Sequence, residues 1–180
     1  MSSDGHFRYC GRPDAEGCDG LVQRMAMTVC ARGLLVESGN CLLIANRNRE
    51  FGTWYVLPGG KQRRGERLDE AARREFREET GLPIAVGPLW HVWEFLPERH
   101  PHLRNKRPDQ QLHAIFLVAR QGARSAAPAP ERPDTDQRSL AWLPVADLDP
   151  DSLYPSGLAD HLREHVPMRA ADAVYLGDLH

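Results

Sequence analysis

The pattern of apolar and polar positions predicts a series of short strands before the first helix. Residues 25–36 are mostly apolar and predict a strand, and a turn at Gly39-Asn40 leads into a second strand at 41–45. A third short strand at 54–57 ends at Pro58, because proline cannot continue a strand's hydrogen bonding. The first two strands therefore form a predicted hairpin.

The strongest predicted helix is Leu68–Thr80, which contains no glycine or proline and is followed by Gly81. Further strands are predicted at 85–95, 112–119 and 140–143, the last being the final strand of the chain, and an amphipathic helix is predicted at 156–166. This order predicts an α/β fold, a mixed sheet with helices packed on its faces. The predicted organisation is an N-terminal arm at 1–20, a single domain at 21–168 and a C-terminal tail at 169–180.

Three glutamates of the predicted helix lie on or beside its apolar side. Glu75, Glu78 and Glu79 stand at positions i, i+3 and i+4, so their carboxylates cluster. Like charges next to buried positions repel each other and lose solvation unless a cation lies among them. The alternative is a salt-bridged surface helix, which is typical of sequences rich in Arg and Glu. Mg²⁺ prefers oxygen ligands, so the spacing favours a divalent metal site.

The segment before the helix adds a turn and a predicted ion pair. Gly59 and Gly60 allow the backbone to approach a ligand closely, and the Gly60 carbonyl is a further candidate metal ligand. Glu66 precedes the helix and Arg74 follows eight residues later, which predicts an ion pair that holds the loop to the helix. A structural role is expected for this pair, since arginine cannot bind a cation.

Residues 60–82 resemble a complete Nudix box. That family's pattern is Gly, five residues, Glu, seven residues, Arg-Glu, an apolar residue, any residue, Glu-Glu, any residue, Gly and an apolar residue. The segment from Gly60 to Leu82 meets every fixed position, and bulky Phe76 stands where an aliphatic residue is commoner. The resemblance extends over residues 22–166, with Trp142 in a late strand that is similar to the family's, but only the box is specific.

The resemblance implies an α/β/α sandwich and hydrolysis of a nucleoside diphosphate linked to another group, such as a nucleotide sugar or ADP-ribose. It implies Mg²⁺ as the cofactor, with Mn²⁺ as a substitute. By position in the motif it implies a set of catalytic metal ligands: Glu75, Glu78, Glu79 and the Gly60 carbonyl. It likewise implies a set of residues that hold the box together: Glu66, Arg74, Gly59 and Gly81.

The resemblance leaves the general base open. Glu75 is the first candidate. The alternatives lie outside the box: Glu94, Asp134 and Asp136.

Most substrate-binding residues are expected outside the box. The candidates are Trp54, Lys61, Arg104, His113 and Phe116. The aromatic residues also fit core positions of strands, and a single histidine is more often simply hydrogen-bonded. The basic loop at 98–107 is either a phosphate-facing lid or a solvated loop. Pro97 lies fifteen residues after Leu82, where a proline resembles a mark of ADP-ribose-cleaving members.

The resemblance implies a small phosphoanhydride compound as the substrate, and the composition suggests no macromolecular partner. The chain of 180 residues has 23 basic and 25 acidic side chains and a formal charge of −2, which gives no reason to expect a nucleic acid polymer or an anionic membrane. A homodimer is left open. The alternatives are a nucleoside triphosphate pyrophosphatase and a catalytically silent ligand sensor, although intact metal ligands argue against the sensor.

Cysteine use and the N-terminal residues predict a reduced, cytoplasmic protein. Cys30 and Cys41 fall in apolar strands and are predicted to be reduced core residues. Cys10 and Cys18 lack a second Cys/His pair at the spacing of a zinc finger. The first residues have no basic segment leading into an apolar stretch, so no secretory signal is predicted.

Overall fold

The computed structural model describes residues 27–48, 52–99, 109–122, 137–165 and 174–178. Several predictions lie outside these residues: the arm at 1–20 with Cys10 and Cys18, Arg104 and most of the basic loop, and Asp134 and Asp136. The described elements form two five-stranded sheets and two α-helices.

The first sheet is mixed, as predicted. In spatial order its strands are β10 (Val174–Asp178), β6 (Ile84–Phe95), β7 (Gln110–Arg120), β1 (Met27–Leu34) and β5 (Gly59–Lys61). The pairs β10/β6 and β7/β1 are parallel, whereas β6/β7 and β1/β5 are antiparallel. The short strand β5 at one edge connects this sheet to the first helix.

The second sheet contains only the turn end of the predicted hairpin, because residues 27–34 pair within the first sheet and only Val36 and Glu37 pair with the strand at 40–48. Its strands are β2 (Val36–Glu37), β3 (Asn40–Asn48), β4 (Gly52–Val56), β8 (Gln137–Pro144) and β9 (Leu153–Tyr154). The hairpin turn is centred on Ser38 and Gly39, with φ angles of 51° and 78°, and Asn40 already pairs with Glu37. Positive φ at both central positions is typical of a tight hairpin turn. The predicted turn at Gly39-Asn40 is therefore one residue too late.

Both helices lie where the sequence predicted them. Helix α1 spans Leu68–Thr80, and the left-handed Gly81 ends it with φ 70°. Helix α2 spans Gly157–Glu164 and buries Leu158 and Leu162 as expected, although it is shorter than predicted. With 13 and 8 residues, neither of these described helices approaches the roughly 20 residues that cross a bilayer.

The helices pack on opposite faces of the first sheet. Ala31 packs against Ala71 and Ala72 of α1 and pairs in register with Ala114. Ile115, the next residue along β7, points to the other face, where it joins the core cluster that contains α2. This layering is the expected α/β arrangement in one domain, and it leaves the end of α1 next to β5.

The prediction that residues 140–143 are the last strand was wrong. Two strands follow β8: β9 pairs in parallel with β4, and β10 pairs in parallel with β6. β10 lies within the predicted tail at 169–180 and places Val174 next to His91. Both strands are short and pair with segments far away in the chain, so periodicity within the segment gave no signal for them.

Cys30 and Cys41 are buried and form no disulfide, as predicted. Burial raises the pKa of the Cys41 thiol to about 12, so this residue stays a neutral core side chain.

Candidate metal and active site

Arg74 forms the centre of the site. Its Nε and Nη2 atoms donate to the two carboxylate oxygens of Glu66 at 2.7 and 2.8 Å, which is the predicted ion pair in bidentate form. Nη2 also donates to the Lys61 carbonyl oxygen at 3.0 Å, and Nη1 donates to Glu75 at 2.5 Å. One side chain thus ties the loop before α1 to the helix itself.

The Arg74 guanidinium sets the charge state of Glu66. Its hydrogen bonds lower the pKa of Glu66 from 4.5 to about 2, and the backbone N–H of Arg63 adds a bond at 2.9 Å. The carboxylates of Glu66 and Glu75 in turn raise the pKa of Arg74. Both members of the pair are therefore charged throughout the physiological range.

Glu79 is the most deeply placed of the three box glutamates, at 9% exposure. Its Oε2 accepts a hydrogen bond from the Gly59 N–H at 2.8 Å. The Gly59 φ angle is 142°, and a Cβ there would lie 2.3 Å from the Ala31 carbonyl oxygen. Only glycine fits this position, because both its φ angle and its contact with β1 exclude a side chain.

Gly60 lies against Glu75. A Cβ at Gly60 would stand 2.8 Å from the carboxyl carbon of Glu75, so the missing side chain is what lets this carboxylate reach the turn. The two glycines have different roles: Gly59 fits the backbone against β1, and Gly60 leaves room for an acidic side chain.

Arg32 lies on β1 opposite Gly59, in the segment that was predicted as a glycine turn and that pairs with β1 as strand β5. Its Nη1 donates to the Leu57 carbonyl at 2.8 Å, and its Nε donates to His113 Nδ1 at 2.9 Å. Since Nδ1 accepts, the proton of His113 is on Nε2, which lies 2.9 Å from the Gln111 side-chain oxygen. Sequence analysis missed Arg32, whose position between apolar strand residues was the available signal.

The donor set of the box fits a hard cation, although protein groups engage the carboxylates in this structure. Arg74 contacts Glu75 and also Glu78, the latter at 3.6 Å, and Arg63 lies 3.3 Å from the other Glu78 oxygen. Carboxylate oxygens next to an open glycine turn are the ligands that Mg²⁺ prefers. A bound cation would replace part of the charge balance that the arginines provide here.

A cavity of ≈ 420 Å³ lies between β1 and the loop before α1, and Glu66 is the one acidic residue in its lining. Its lining combines the start of β1 with the loop before α1: Met27, Thr28, Val29, Lys61, Gln62, Arg63, Arg64, Gly65 and Glu66. Three of these side chains are cationic, and Glu66 and Arg63 connect the cavity to the network around Arg74. A phosphate group would find positive charge here, from Lys61, Arg63 and Arg64.

The structure brings one of the described substrate-binding candidates, Lys61, to this cavity. Phe116 packs against the alanines beneath α1, and Trp54 is half-buried on β4 opposite Asn46. His113 is 1% exposed and stacks on Trp93 with ring centroids 4.0 Å apart. Arg63, Arg64 and Gln62 were not singled out in the sequence, because surface positions in a loop carry no periodicity.

Glu94, an alternative base, lies on the face of the first sheet that α1 covers. It pairs in register with Leu112 on β7. Strands β7 and β1 separate β6 from β5, so Glu94 is not adjacent to the glycine turn.

Solved structures share this fold. The MutT NUDIX hydrolase from Burkholderia pseudomallei matches with a TM-score of 0.57 and 23% identity over 78% of this chain and 98% of that one. The E. coli ORF135 protein matches with a TM-score of 0.60 and 19% identity over 82% and 96%. At these identities the likeness defines the class of fold: an α/β protein whose helix packs beside a glycine turn.

Curated relatives match different shares of the chain. An ADP-ribose pyrophosphatase of Methanocaldococcus jannaschii is 38% identical over 73 residues, or 41% of this chain and 43% of that protein. The human 8-oxo-dGDP phosphatase NUDT18 is 28% identical over 87% of this chain and 40% of that protein. The nucleoside triphosphatase NudI of Salmonella heidelberg is 31% identical over 43% and 54%. The chain thus spans about half or less of these relatives' length.

The NUDIX domain model matches residues 26–163, which is most of the chain. The chain belongs to the NUDIX family.

Proposed function

We propose that this protein is a Mg²⁺-dependent hydrolase of a phosphoanhydride bond in a nucleoside diphosphate linked to another group. The observation that carries the proposal is that Glu79 and Glu75 contact two consecutive glycines, Gly59 and Gly60. Glu79 accepts a hydrogen bond from the Gly59 N–H, Glu75 lies against Gly60, and the next residue, Lys61, lines the cationic cavity. This arrangement combines oxygen ligands for a cation with positive charge for phosphates.

In this proposal Glu75, Glu78, Glu79 and the Gly60 carbonyl hold Mg²⁺, for which Mn²⁺ can substitute. When bound, the cation would neutralise charge on the anhydride oxygens and acidify a water molecule. Lys61 and Arg64, whose side chains line the cavity, bind the phosphates and orient the bond to be cleaved.

Glu75 is our first candidate for the general base. Arg74 orients its carboxylate at 2.5 Å, and the open position at Gly60 keeps room beside it. Glu94 and the two loop aspartates, Asp134 and Asp136, are the alternatives. A base is identified by a missing ionisation in the pH–rate profile of its variant.

The relatives' names divide between two substrate classes. One relative is named an ADP-ribose pyrophosphatase and another a nucleoside triphosphatase. We favour the first class, because Pro97 stands fifteen residues after Leu82 and is buried at the end of β6, where it begins a 3₁₀ turn. A triphosphate pyrophosphatase is the second candidate.

A hydrolysis screen with Mg²⁺ or Mn²⁺ tests the proposal. The substrates are nucleoside triphosphates, sugar nucleotides, dinucleoside polyphosphates and ADP-ribose, with products identified by mass spectrometry. A nucleoside monophosphate together with a phosphorylated second group supports the favoured class, whereas release of pyrophosphate supports the second candidate. The proposal is wrong if the folded protein hydrolyses none of these compounds, or if Glu79→Gln does so at the wild-type rate.

A further inference from the structure

A cluster of histidines lies at the end of α2, away from the NUDIX box. His161, Glu164 and His165 each offer a ligand atom, and these three atoms lie within 4.8 Å of one another. Within the described residues no other set of three metal-ligating side chains meets this distance. The box glutamates do not form such a set.

The spacing of these residues places them on one side of the helix. His161 and His165 are one turn apart, and Glu164 precedes the second histidine. Two histidines at i and i+4 on a helix are an arrangement that binds Zn²⁺. Their ring centroids are 4.1 Å apart, so the side chains are already gathered.

Hydrogen bonding leaves ring nitrogens available for a ligand. His165 Nδ1 lies 2.9 Å from the His161 carbonyl oxygen. A carbonyl only accepts, so Nδ1 carries the proton and Nε2 of His165 keeps its lone pair. Metal-binding histidines are commonly oriented in this way, with the second nitrogen donating to a backbone carbonyl.

His161 is held by a buried residue of β6. Its Nε2 is hydrogen-bonded to Nε2 of His91, which is 1% exposed. With His161 as the donor of this bond, its Nδ1 is free to bind an ion. The ring of Trp90 lies 3.8 Å from that of His91 and 5.4 Å from that of His161, which shields this side from water.

The donor atoms also suit a borderline cation. Two nitrogens and one carboxylate oxygen match Zn²⁺ and similar borderline ions rather than Mg²⁺.

We propose that His161, Glu164 and His165 bind a borderline divalent transition-metal ion such as Zn²⁺, and that His91 positions the His161 ring. The site is separate from the proposed active site, since His91 lies on the sheet face that α2 covers, beside Ile115. All three ligands lie on α2 or at its C-cap, and the hydrogen bond between His161 and His91 links them to β6.

Zn²⁺ binding to the full chain, measured by competition with a chromophoric chelator in excess Mg²⁺, tests the site. We expect one equivalent of tightly bound Zn²⁺ and roughly 100-fold weaker binding in His165→Ala, which removes a ligand. Glu164→Gln should weaken binding less. Asp160→Asn is the matched control, because this exposed carboxylate is on the same helix and outside the cluster, and its affinity should not change.

A thermal melt with and without Zn²⁺ gives a second readout. An ion that binds only the folded state raises the melting temperature, so Zn²⁺ should stabilise the wild type and Asp160→Asn but not His165→Ala. His165 and Glu164 are exposed, so both variants should fold. The proposal is wrong if wild type and His165→Ala bind Zn²⁺ equally well, or if Glu79→Gln removes the same equivalent, which would place the ion in the box.

Discussion

The Glu79 carboxylate accepts a hydrogen bond from the Gly59 N–H at 2.8 Å, across 20 residues of chain. The bond is buried and joins the last turn of α1 to the first residue of β5. It fixes the distance between the helix that carries the acidic side chains and the backbone that faces them. Any change in this turn should therefore reach the proposed metal site.

Removing the charge of the box glutamates should abolish turnover without unfolding the protein. We expect Glu78→Gln and Glu79→Gln to lower kcat by about 100-fold or more at saturating Mg²⁺, because each loses charge that the cation needs. In Glu79→Gln the amide oxygen can still accept from Gly59, so the fold is kept. Steady-state kinetics and circular dichroism measure the two effects.

Glu70→Gln is the matched control for this experiment. Glu70 is an exposed residue of the same helix whose carboxylate accepts from the Arg67 N–H at 2.9 Å, and glutamine can make the same cap. This variant should keep wild-type activity. Near-normal rates in both Glu78→Gln and Glu79→Gln would contradict the assignment of these glutamates as metal ligands.

The two glycines of the turn should respond differently to alanine. Gly59→Ala places a Cβ 2.3 Å from a carbonyl oxygen of β1, so it should destabilise the fold by about 1–3 kcal/mol or more. Gly60→Ala meets only the flexible end of Glu75, so it should lower activity strongly and stability little. Urea unfolding together with activity assays separates the two, and equal effects of both variants on stability would contradict this division.

Arg74→Ala should lower stability in a pH-dependent way. The lowered pKa of Glu66 means that the pair's stabilisation is fully present above about pH 4.5 and is lost as the pH falls towards 2. At neutral pH we expect a loss of about 2 kcal/mol, less than for a fully buried pair since both side chains are about 15% exposed. Carboxyl-carbon NMR titration should show the Glu66 pKa returning towards its ordinary value in the variant. An unchanged melting temperature with reduced activity would instead give Arg74 a direct role in catalysis.

The cations of the cavity should act on substrate binding. Lys61→Ala and Arg64→Ala should raise KM by about 10-fold with little change in kcat, because remote phosphate contacts stabilise ground and transition states alike. The effect should shrink at high salt, since exposed charges are screened over about 8–10 Å. Neutralising the basic loop, at Arg99, Arg104, Lys106 and Arg107, is the comparison. A larger rise in KM from the loop variant would show that the loop binds the substrate phosphates. An unchanged KM in Lys61→Ala and Arg64→Ala would exclude the cavity as the phosphate-binding site.

The sequence by itself determined the helix α1 and the acidic side that it presents. Helical periodicity depends only on residues a few positions apart, so Glu75, Glu78 and Glu79 could be grouped without knowing the fold. The pair of Glu66 and Arg74 is also close in sequence, eight residues apart. For the same reason the final helix could be predicted from the spacing of Leu158 and Leu162.

Only the tertiary structure decided which distant segments meet. Arg32 reaches the glycine turn because β1 pairs with β5, and His91 meets His161 because α2 packs across β6; neither contact has a local signature. The spacing of His161, Glu164 and His165 was visible in the sequence, but surface residues in that pattern are not a site until a buried partner joins them. Strand pairing depends on register between remote segments, and a short strand such as β10 carries too little periodicity to reveal it.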